Sequence, residues 1–467
     1  MDASTVADAA TTFGFLSLIP TLSVLILAVT IHRPIEALLF GAVIGQTILA
    51  IHHGMTPVEG IFAYADATLA ALMDEDLAWV VLVCGAMGAL IGLLVRTGAV
   101  TEFMDIVARR VKSRTGSIVA TWLMGIAVFV DDYLNAIAVG STMKRLTDKY
   151  KVSREMLAYV IDSTAAPVSV IIPISTWAVF FAKLLEDVNM AAPGEGLYAY
   201  IGGIPYMLYA WLAILIVPLV ALGKLPLIGP MKKAEYRARE YGQTIPPRAG
   251  NLRADKHPIE EKKDGKRSPW MFVLPIAGLV GATLYFDLEF LPAIYTTLSV
   301  TLIAILGLRI LDHHDAFDTV LDGFRTMIEP LAIIFSAYVL KEINAQLGLT
   351  EYVLQLALPY MNATTLPFIV FAIMGLVAFG TGSSWGMFVI ALPVIAELAI
   401  QTDANIPLVI GATLSASTFG SHACLYADAT VLTSHSCGCT SLQHALTQLP
   451  YAVITAAISL IGFAILA

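Results

Sequence analysis

The sequence predicts an all-α polytopic membrane protein made of two inverted repeats. The chain has 467 residues, is 58% hydrophobic and only 13% charged, and has a mean hydropathy of +0.78. That composition excludes a soluble globular domain. Apolar runs long enough to cross a bilayer as helices recur from Phe13 to Ala467. The stretch Met124–Phe129 (MGIAVF) returns 250 residues later as Met374–Phe379 (MGLVAF), which indicates an internal repeat.

Each repeat is expected to contain about five transmembrane helices and one re-entrant hairpin, with broken helices at mid-membrane. In the first half the expected spans are Phe13–Ile31, Ile35–Ile51, Leu77–Val95, Glu155–Ala182 (interrupted near Pro167) and Leu197–Leu222. Two loops with five basic residues each, Arg96–Gly116 and Lys144–Arg154, flank Ser117–Lys149. The positive-inside rule places both loops in the cytoplasm, so Ser117–Lys149 must enter and leave by the same face. We therefore expect a re-entrant hairpin with its tip at Val130–Tyr133.

The middle of the chain predicts a boundary between the repeats. Twelve of the 27 Lys and Arg residues fall between Lys224 and Arg267. We expect residues 1–223 to form the first repeat, residues 224–268 a solvated, basic cytoplasmic linker, and residues 269–467 the second repeat. An odd number of spans in each half inverts the second half relative to the first and places both termini outside the cytoplasm. Inverted repeats with broken helices are typical of secondary transporters.

The hairpin tip of the first half carries the most informative residues. Asp131 and Asp132 are adjacent within an otherwise apolar stretch, and Asn135 follows within one helical turn. An ionised Asp at bilayer depth costs about 2.5–3.5 kcal/mol, so two together indicate a cation, a proton or a water-filled cavity. The alternative is a solvated pair at the end of a spanning helix.

Other polar residues near the expected breaks are further candidates for ion or substrate binding. They are Asp162, Ser163 and Thr164 at the first break; Thr381, Ser383 and Ser384 at the second hairpin tip; Ser415, Ser417 and Thr418 in the second break, expected at Leu414–Gly420; and Asp428. Hard cations take oxygen ligands, so we expect Asp131, Asp132, Asp162 and Asp428 to bind Na+, with hydroxyls as neutral ligands. The alternative for the hydroxyls is a bond back to their own helix.

Some conspicuous residues have a plainer explanation than a metal site, as small polar residues around helix breaks or as helix-end charges. His422, Cys424, His435, Cys437 and Cys439 match no structural zinc spacing. Glu329 and Lys341 are interpreted as helix-end or packing charges. No cofactor is expected beyond the transported ions, and nothing in the sequence suggests nucleic acid.

Three separated motifs resemble the NhaC-type Na+/H+ antiporters of the ion transporter superfamily. They are Val130–Asn135 (VDDYLN), Asp162–Pro167 (DSTAAP) and Thr381–Gly386 (TGSSWG), and Thr447–Ala452 also looks like that family. The resemblance implies inverted repeats, re-entrant hairpins and, by analogy with the superfamily, a homodimer working by an elevator motion. The chain departs from the family pattern at Ser421, in place of an Asp, and at Leu425, in place of a Pro.

The leading hypothesis is a Na+(Li+)/H+ antiporter of the inner or plasma membrane, in which the two ions compete for embedded carboxylates. The alternative is a Na+- or H+-coupled exchanger or symporter of small carboxylates or amino acids, held at the two hairpin tips. An intramembrane aspartyl protease would also need two buried carboxylates, but the repeats favour transport over an enzyme.

Overall fold

The computed structural model describes residues 13–31, 33–129, 132–173, 175–247, 268–287, 289–382 and 384–467, and the regular structure of these parts is helical. Asp131 and Ser383 lie outside the described residues. The helices of the first half are α1 (Leu18–Ile31), α2 (Pro34–His52), α3 (Pro57–Leu72), α4 (Glu75–Arg96), α5 (Ala99–Arg110), α6 (Arg114–Ala127), α7 (Asp132–Leu134), α8 (Gly140–Lys149), α9 (Arg154–Asp162), α10 (Ala166–Ile171), α11 (Thr176–Asp187), α12 (Gly196–Gly203) and α13 (Leu208–Ala221).

A helix in the middle of the chain, α14 (Gly229–Tyr241), precedes the second half. The helices of that half are α15 (Trp270–Tyr285), α16 (Phe290–Gly307), α17 (His313–Thr326), α18 (Ile328–Gln346), α19 (Leu349–Ala357), α20 (Leu366–Thr381), α21 (Ser384–Gln401), α22 (Ile406–Ala423), α23 (Asp428–Cys437) and α24 (Ser441–Leu466).

Several of these helices have the length and composition of membrane spans. Among the described residues, four helical segments qualify singly: Ile35–His52, Leu77–Arg96, Phe290–Gly307 and Ser441–Leu466. Three pairs qualify when each bent pair is counted as one span: α12 and the following turn with α13, α17 with α18, and α22 with α23, bent by 51°, 42° and 43°. The predicted class, a multi-pass helical membrane protein with broken helices, is therefore confirmed at this level.

The two helix breaks lie in equivalent places of the two halves. The first is at Ser163–Ala165, between α9 and α10, where it was predicted. The second was expected at Leu414–Gly420, and that expectation is wrong. Helix α22 runs unbroken to Ala423, and the break occupies Cys424–Ala427. Thr413 and Thr418 bond back to the carbonyls of Val409 and Leu414, so their hydroxyls are satisfied without interrupting the helix.

The predicted first hairpin tip coincides with an interruption between helices. Helix α6 ends at Ala127, and the chain resumes helix at Asp132, passing through a π-helical turn at Asn135–Val139 before α8. In the second half, α20 ends at Thr381 and is followed by Gly382 in the left-handed conformation, at φ 69°, two positions before α21 begins. A π-helical turn inside an α-helix is uncommon and is frequently found at functional sites.

Packing between the halves is reciprocal. Helix α4 packs against α16 and α17, while its counterpart α18 packs against α2 and α3. Helix α9 packs against α23 and α24, while its counterpart α22 packs against α10 and α13.

Helix α4 runs antiparallel to the α17–α18 segment. At the crossing, a Cβ on Gly88 would lie 2.5 Å from the carbonyl oxygen of Gly323, so only glycine permits the approach. Small residues at helix crossings are typical of membrane proteins. An ion pair joins the segments at each end: Arg96 to Asp315 at 3.2 Å, and Lys341 to Asp74 at 3.0 Å.

Residues 229–241 correct the prediction of a solvated linker. They form α14, whose Glu235 is completely buried. Its carboxylate accepts a 2.9 Å hydrogen bond from the backbone N–H of Ser153, which caps α9, and pairs with Arg114 at the start of α6. Arg237 donates to both carboxylate oxygens of Glu155 at 3.0 and 2.8 Å. The packed face of this helix consists of Met231, Ala234 and Ala238, which are buried and have the spacing of one helical face.

Candidate functional site

Asp162 is the last residue of α9 and lies at the first helix break, with 1% of its surface exposed. Its carboxylate faces two side chains of the second half. Oδ2 lies 3.0 Å from Nε2 of His444 and accepts a 2.7 Å hydrogen bond from Nε2 of Gln448. The break in one half is thus joined to the last helix of the other.

Helix α24 presents His444 and Gln448 on one face because they are four residues apart. The helix begins with a capping box in which Thr440 and Gln443 bond to each other's backbone N–H at 3.2 Å. This fixes the start of the helix and places His444 in its first turns. Both side chains are completely buried.

His422 adds a second connection between the halves. Its Nε2 lies 3.0 Å from Oγ of Ser163, and its Nδ1 lies 2.7 Å from the hydroxyl of Tyr209. The side-chain amide of Gln448 also donates to the backbone carbonyl of His422, near the end of α22. The carbonyls at a helix end lack intrahelical partners, so Gln448 links Asp162 to the second broken helix as well.

Polar atoms of this cluster remain unpartnered within the described part of the chain. They are Oδ1 of Asp162, Nδ1 of His444 and Oε1 of Gln448, each buried. A buried polar atom without a hydrogen bond is costly, so a further hydrogen bond or a bound ligand at these atoms would stabilise the cluster. In each of these three residues, the other polar side-chain atom already has a hydrogen-bond partner within the cluster.

Asn135 holds the backbone together where α6 ends. Its amide Nδ2 lies 2.6, 3.1 and 2.8 Å from the carbonyl oxygens of Gly125, Val128 and Thr164, so its two hydrogens are shared among three acceptors. Gly125 is required here, since a Cβ on it would collide with the side chain of Thr164. The amide group thus positions the hairpin tip against the first break, and Oδ1 is its remaining buried polar atom without a described partner.

The acidic tip meets the second break through Tyr133 and Asp428. Asp132 begins α7 and is 5% exposed. The hydroxyl of Tyr133 donates to Oδ2 of Asp428, whose Oδ1 accepts a 2.8 Å hydrogen bond from the N–H of Ala429. Asp428 is the first residue of α23. The structure therefore divides the candidate carboxylates into two hydrogen-bonded sets, Asp162 with α24 and Asp428 with Tyr133.

The remaining candidate hydroxyls lie at the first break or on helices. Thr164 bonds back to the carbonyls of Val160 and Ile161, both at 3.0 Å, and Thr381 to that of Val377 at 2.9 Å. Ser415, Ser417 and Thr418 are buried within α22, several residues before its break, and Ser415 accepts from the N–H of Tyr209 at 3.4 Å. Ser384 is the first residue of α21.

The two carboxylates sit at opposite helix ends, which gives them opposite electrostatic surroundings. The C-terminus of a helix is the negative end of its dipole and the N-terminus the positive end. The position of Asp162 at the end of α9 therefore opposes its negative charge, whereas the position of Asp428 at the start of α23 favours it.

Among the described residues, no three His, Cys, Asp or Glu side chains lie close enough together to form a metal centre.

The chain resembles several known proteins. A sequence model of the Na+/H+ antiporter family matches residues 188–467, more than half of the chain. An uncharacterised protein of Haemophilus influenzae is 28% identical over 486 residues, covering 96% of this chain and 90% of that protein. The structure of MtrF from Neisseria gonorrhoeae, described as illuminating a class of antimetabolite efflux pumps, aligns with a TM-score of 0.38 and 10% identity over 98% of this chain and 97% of that one.

The family match includes the second broken helix and the whole of α24, and therefore the residues that reach across to Asp162. This match supports membership of a membrane transporter family rather than of an enzyme family. This chain belongs to the Na+/H+ antiporter family.

Proposed function

We propose that the protein exchanges Na+ or Li+ for H+, and that Asp162 is the carboxylate at which the exchange occurs. The observation that carries the proposal is the placement of Asp162, buried at a helix break and bound by His444 and Gln448 of the other half. A buried carboxylate has to be neutralised or paired. A proton and a small cation both satisfy that need, so each displaces the other.

The two carboxylate sets would have separate roles. Asp162, opposed by the dipole of α9, is suited to carry the proton, whereas Asp428, favoured by the dipole of α23, is suited to remain an anion that attracts the cation. Asp131 and Asp132 belong to the proposed site as further acidic groups of the hairpin tip. Hydroxyl and carbonyl oxygens around the breaks would complete the coordination of Na+.

Alternating access would follow from the inverted repeats. The reciprocal helix contacts and the antiparallel course of α4 and the α17–α18 segment support residues 1–223 and 269–467 as two repeats of opposite orientation. We propose that the pair of broken helices moves relative to the remaining helices in an elevator-type motion of a homodimer, as the family resemblance implies.

The proposal is tested by reconstitution into liposomes with a pH gradient and an internal pH indicator. Addition of Na+ or Li+ should dissipate the gradient in proportion to the protein reconstituted. Small carboxylic acids and amino acids form a second arm of the experiment. Dissipation by an organic solute, with no response to any alkali cation, would contradict the proposal and support the exchange of small carboxylates or amino acids.

A further inference from the structure

A small cavity lies beside Asp428 and away from the Asp162 cluster. Its volume is about 10 Å³, which is close to the minimum that holds one water molecule and is therefore suited to a single small occupant. The polar part of its wall comes from Asp428, Thr381, Gly382, Tyr426, Tyr338 and Lys341. The cavity thus carries a carboxylate on one element, α23, and an ammonium group on another, α18.

Lys341 is held at the wall of this cavity by two neighbours. Its Nζ lies 3.0 Å from Oδ2 of Asp74 and 4.5 Å from the centre of the Tyr338 ring. The side chains of Lys341 and Asp74 are 24% and 26% exposed, so the ion pair is partly hydrated. Asp74 precedes α4 and also accepts a 3.3 Å hydrogen bond from the N–H of Leu77. Asp74 is therefore held in place at the start of α4, whereas Lys341 has a long, flexible side chain that can move.

We propose that Lys341 sets the cation affinity of the Asp428 cavity, acting as a resident cation that Asp74 holds back from Asp428. This inference rests on the proposed function, because it takes the cation that Asp428 attracts to enter this cavity before the exchange at Asp162. A cavity of this size holds one small ion, and an ammonium group in its wall repels a second positive charge. Repulsion between this ammonium group and a cation in the cavity is expected to lower the affinity for that cation by about fivefold.

Substitutions of Lys341 and of Asp74, the two members of the ion pair, are expected to shift the affinity for Na+ in opposite directions. Removal of the ammonium group in Lys341→Met relieves the repulsion, so the Na+ concentration that gives half-maximal exchange should fall by about fivefold or more. Removal of the opposing charge in Asp74→Asn frees the ammonium group to approach Asp428, so that concentration should rise. Asn still accepts the hydrogen bond that caps α4, so the start of that helix is retained. In the double variant no ammonium group remains to be released, and the value should equal that of Lys341→Met.

The experiment measures the Na+ dependence of exchange in liposomes for wild type, both single variants and the double variant, with Lys183→Met as a control for removal of an exposed positive charge. Isothermal titration with NaCl gives the same affinity order for any variant that binds without transporting. Opposite shifts for Lys341→Met and Asp74→Asn support the inference. Shifts in the same direction, or unchanged half-maximal concentrations with lowered thermal stability, would overturn it and leave the pair as a structural link. An absence of Na+-driven exchange in the wild type would overturn the proposed function instead.

Discussion

Nε2 of His444 lies 3.0 Å from Oδ2 of Asp162, although 282 positions separate the two residues in the chain. The contact joins the first broken helix to the last helix of the protein inside a fully buried cluster. Such a contact couples the charge of Asp162 to the positions of α9 and α24. A change in the charge at Asp162 therefore alters the hydrogen bonds that hold the two halves of the protein together.

The glycine crossing gives a prediction about stability. Gly88→Ala should lower the thermal stability of the purified protein, because the added Cβ would lie 2.5 Å from the carbonyl oxygen of Gly323 and would force α4 and α17 apart. Gly278→Ala is the matched control, since a Cβ there meets nothing within 4 Å. Ala is favoured over Gly in a helix by about 1 kcal/mol, so the control should be unchanged or slightly more stable. Equal stability of the two variants would contradict the close crossing.

Glu235 gives a prediction about the helix between the halves. Glu235→Ala leaves Arg114 without its buried partner and should lower the free energy of unfolding by roughly 3 kcal/mol. Glu240→Ala on the exposed face of the same helix is the control and should have little effect. Thermal unfolding followed by fluorescence compares the three proteins. If Glu235→Ala were as stable as the control, α14 would not be fastened to α6 and α9 in solution.

The stability of the loop at Gly194–Gly196 is expected to depend on pH through the carboxylate of Glu186. The backbone N–H groups of Gly194 and Gly196 bond to its carboxylate and lower its pKa from the usual glutamate value. A carboxylate whose pKa is lower in the folded protein stabilises the fold above its unfolded pKa, and that contribution is lost as the pH falls through the folded pKa. The amide of Gly196 should therefore exchange hydrogen more slowly in wild type than in Glu186→Gln at neutral pH.

That difference should disappear in acid, below the lowered pKa of Glu186. Asp187→Asn, at the exposed neighbouring position, should match the wild type throughout. A difference between wild type and Glu186→Gln that persisted in strong acid would show that the carboxylate charge does not hold this loop.

The sequence predicted the helical class and the first break because both depend on local patterns. Apolar length identifies the spans, and Pro167 with the preceding hydroxyls indicated an interruption at Ser163–Ala165. The same hydroxyl signal failed at Ser415–Thr418, because hydroxyls on a continuous helix can bond to their own backbone. Two acidic residues near the start of α17 have structural roles, since Asp312 caps the helix and Asp315 pairs with Arg96.

The partners of Asp162 depend on tertiary contacts and were missed. His444 and Gln448 carried a usable signal, since they are two polar residues four apart at the start of a long apolar helix, a spacing that places both on one face. The sequence carried no such signal for Lys341, because nothing in its own helix indicates that Asp74 and Asp428 lie near it in the fold. The sequence identifies polar residues within spans, whereas the packing decides which of them meet.

The central claim, that Asp162 exchanges a proton for Na+, is tested most directly by proton release from the detergent-solubilised protein when NaCl is added. Calorimetry in buffers of different ionisation enthalpy measures the protons released as Na+ binds, in wild type, Asp162→Asn and the exposed control Asp187→Asn. We expect proton release by the wild type and the control and none by a folded Asp162→Asn variant. Undiminished proton release by Asp162→Asn would contradict it, as would Na+ binding to the wild type without any proton release.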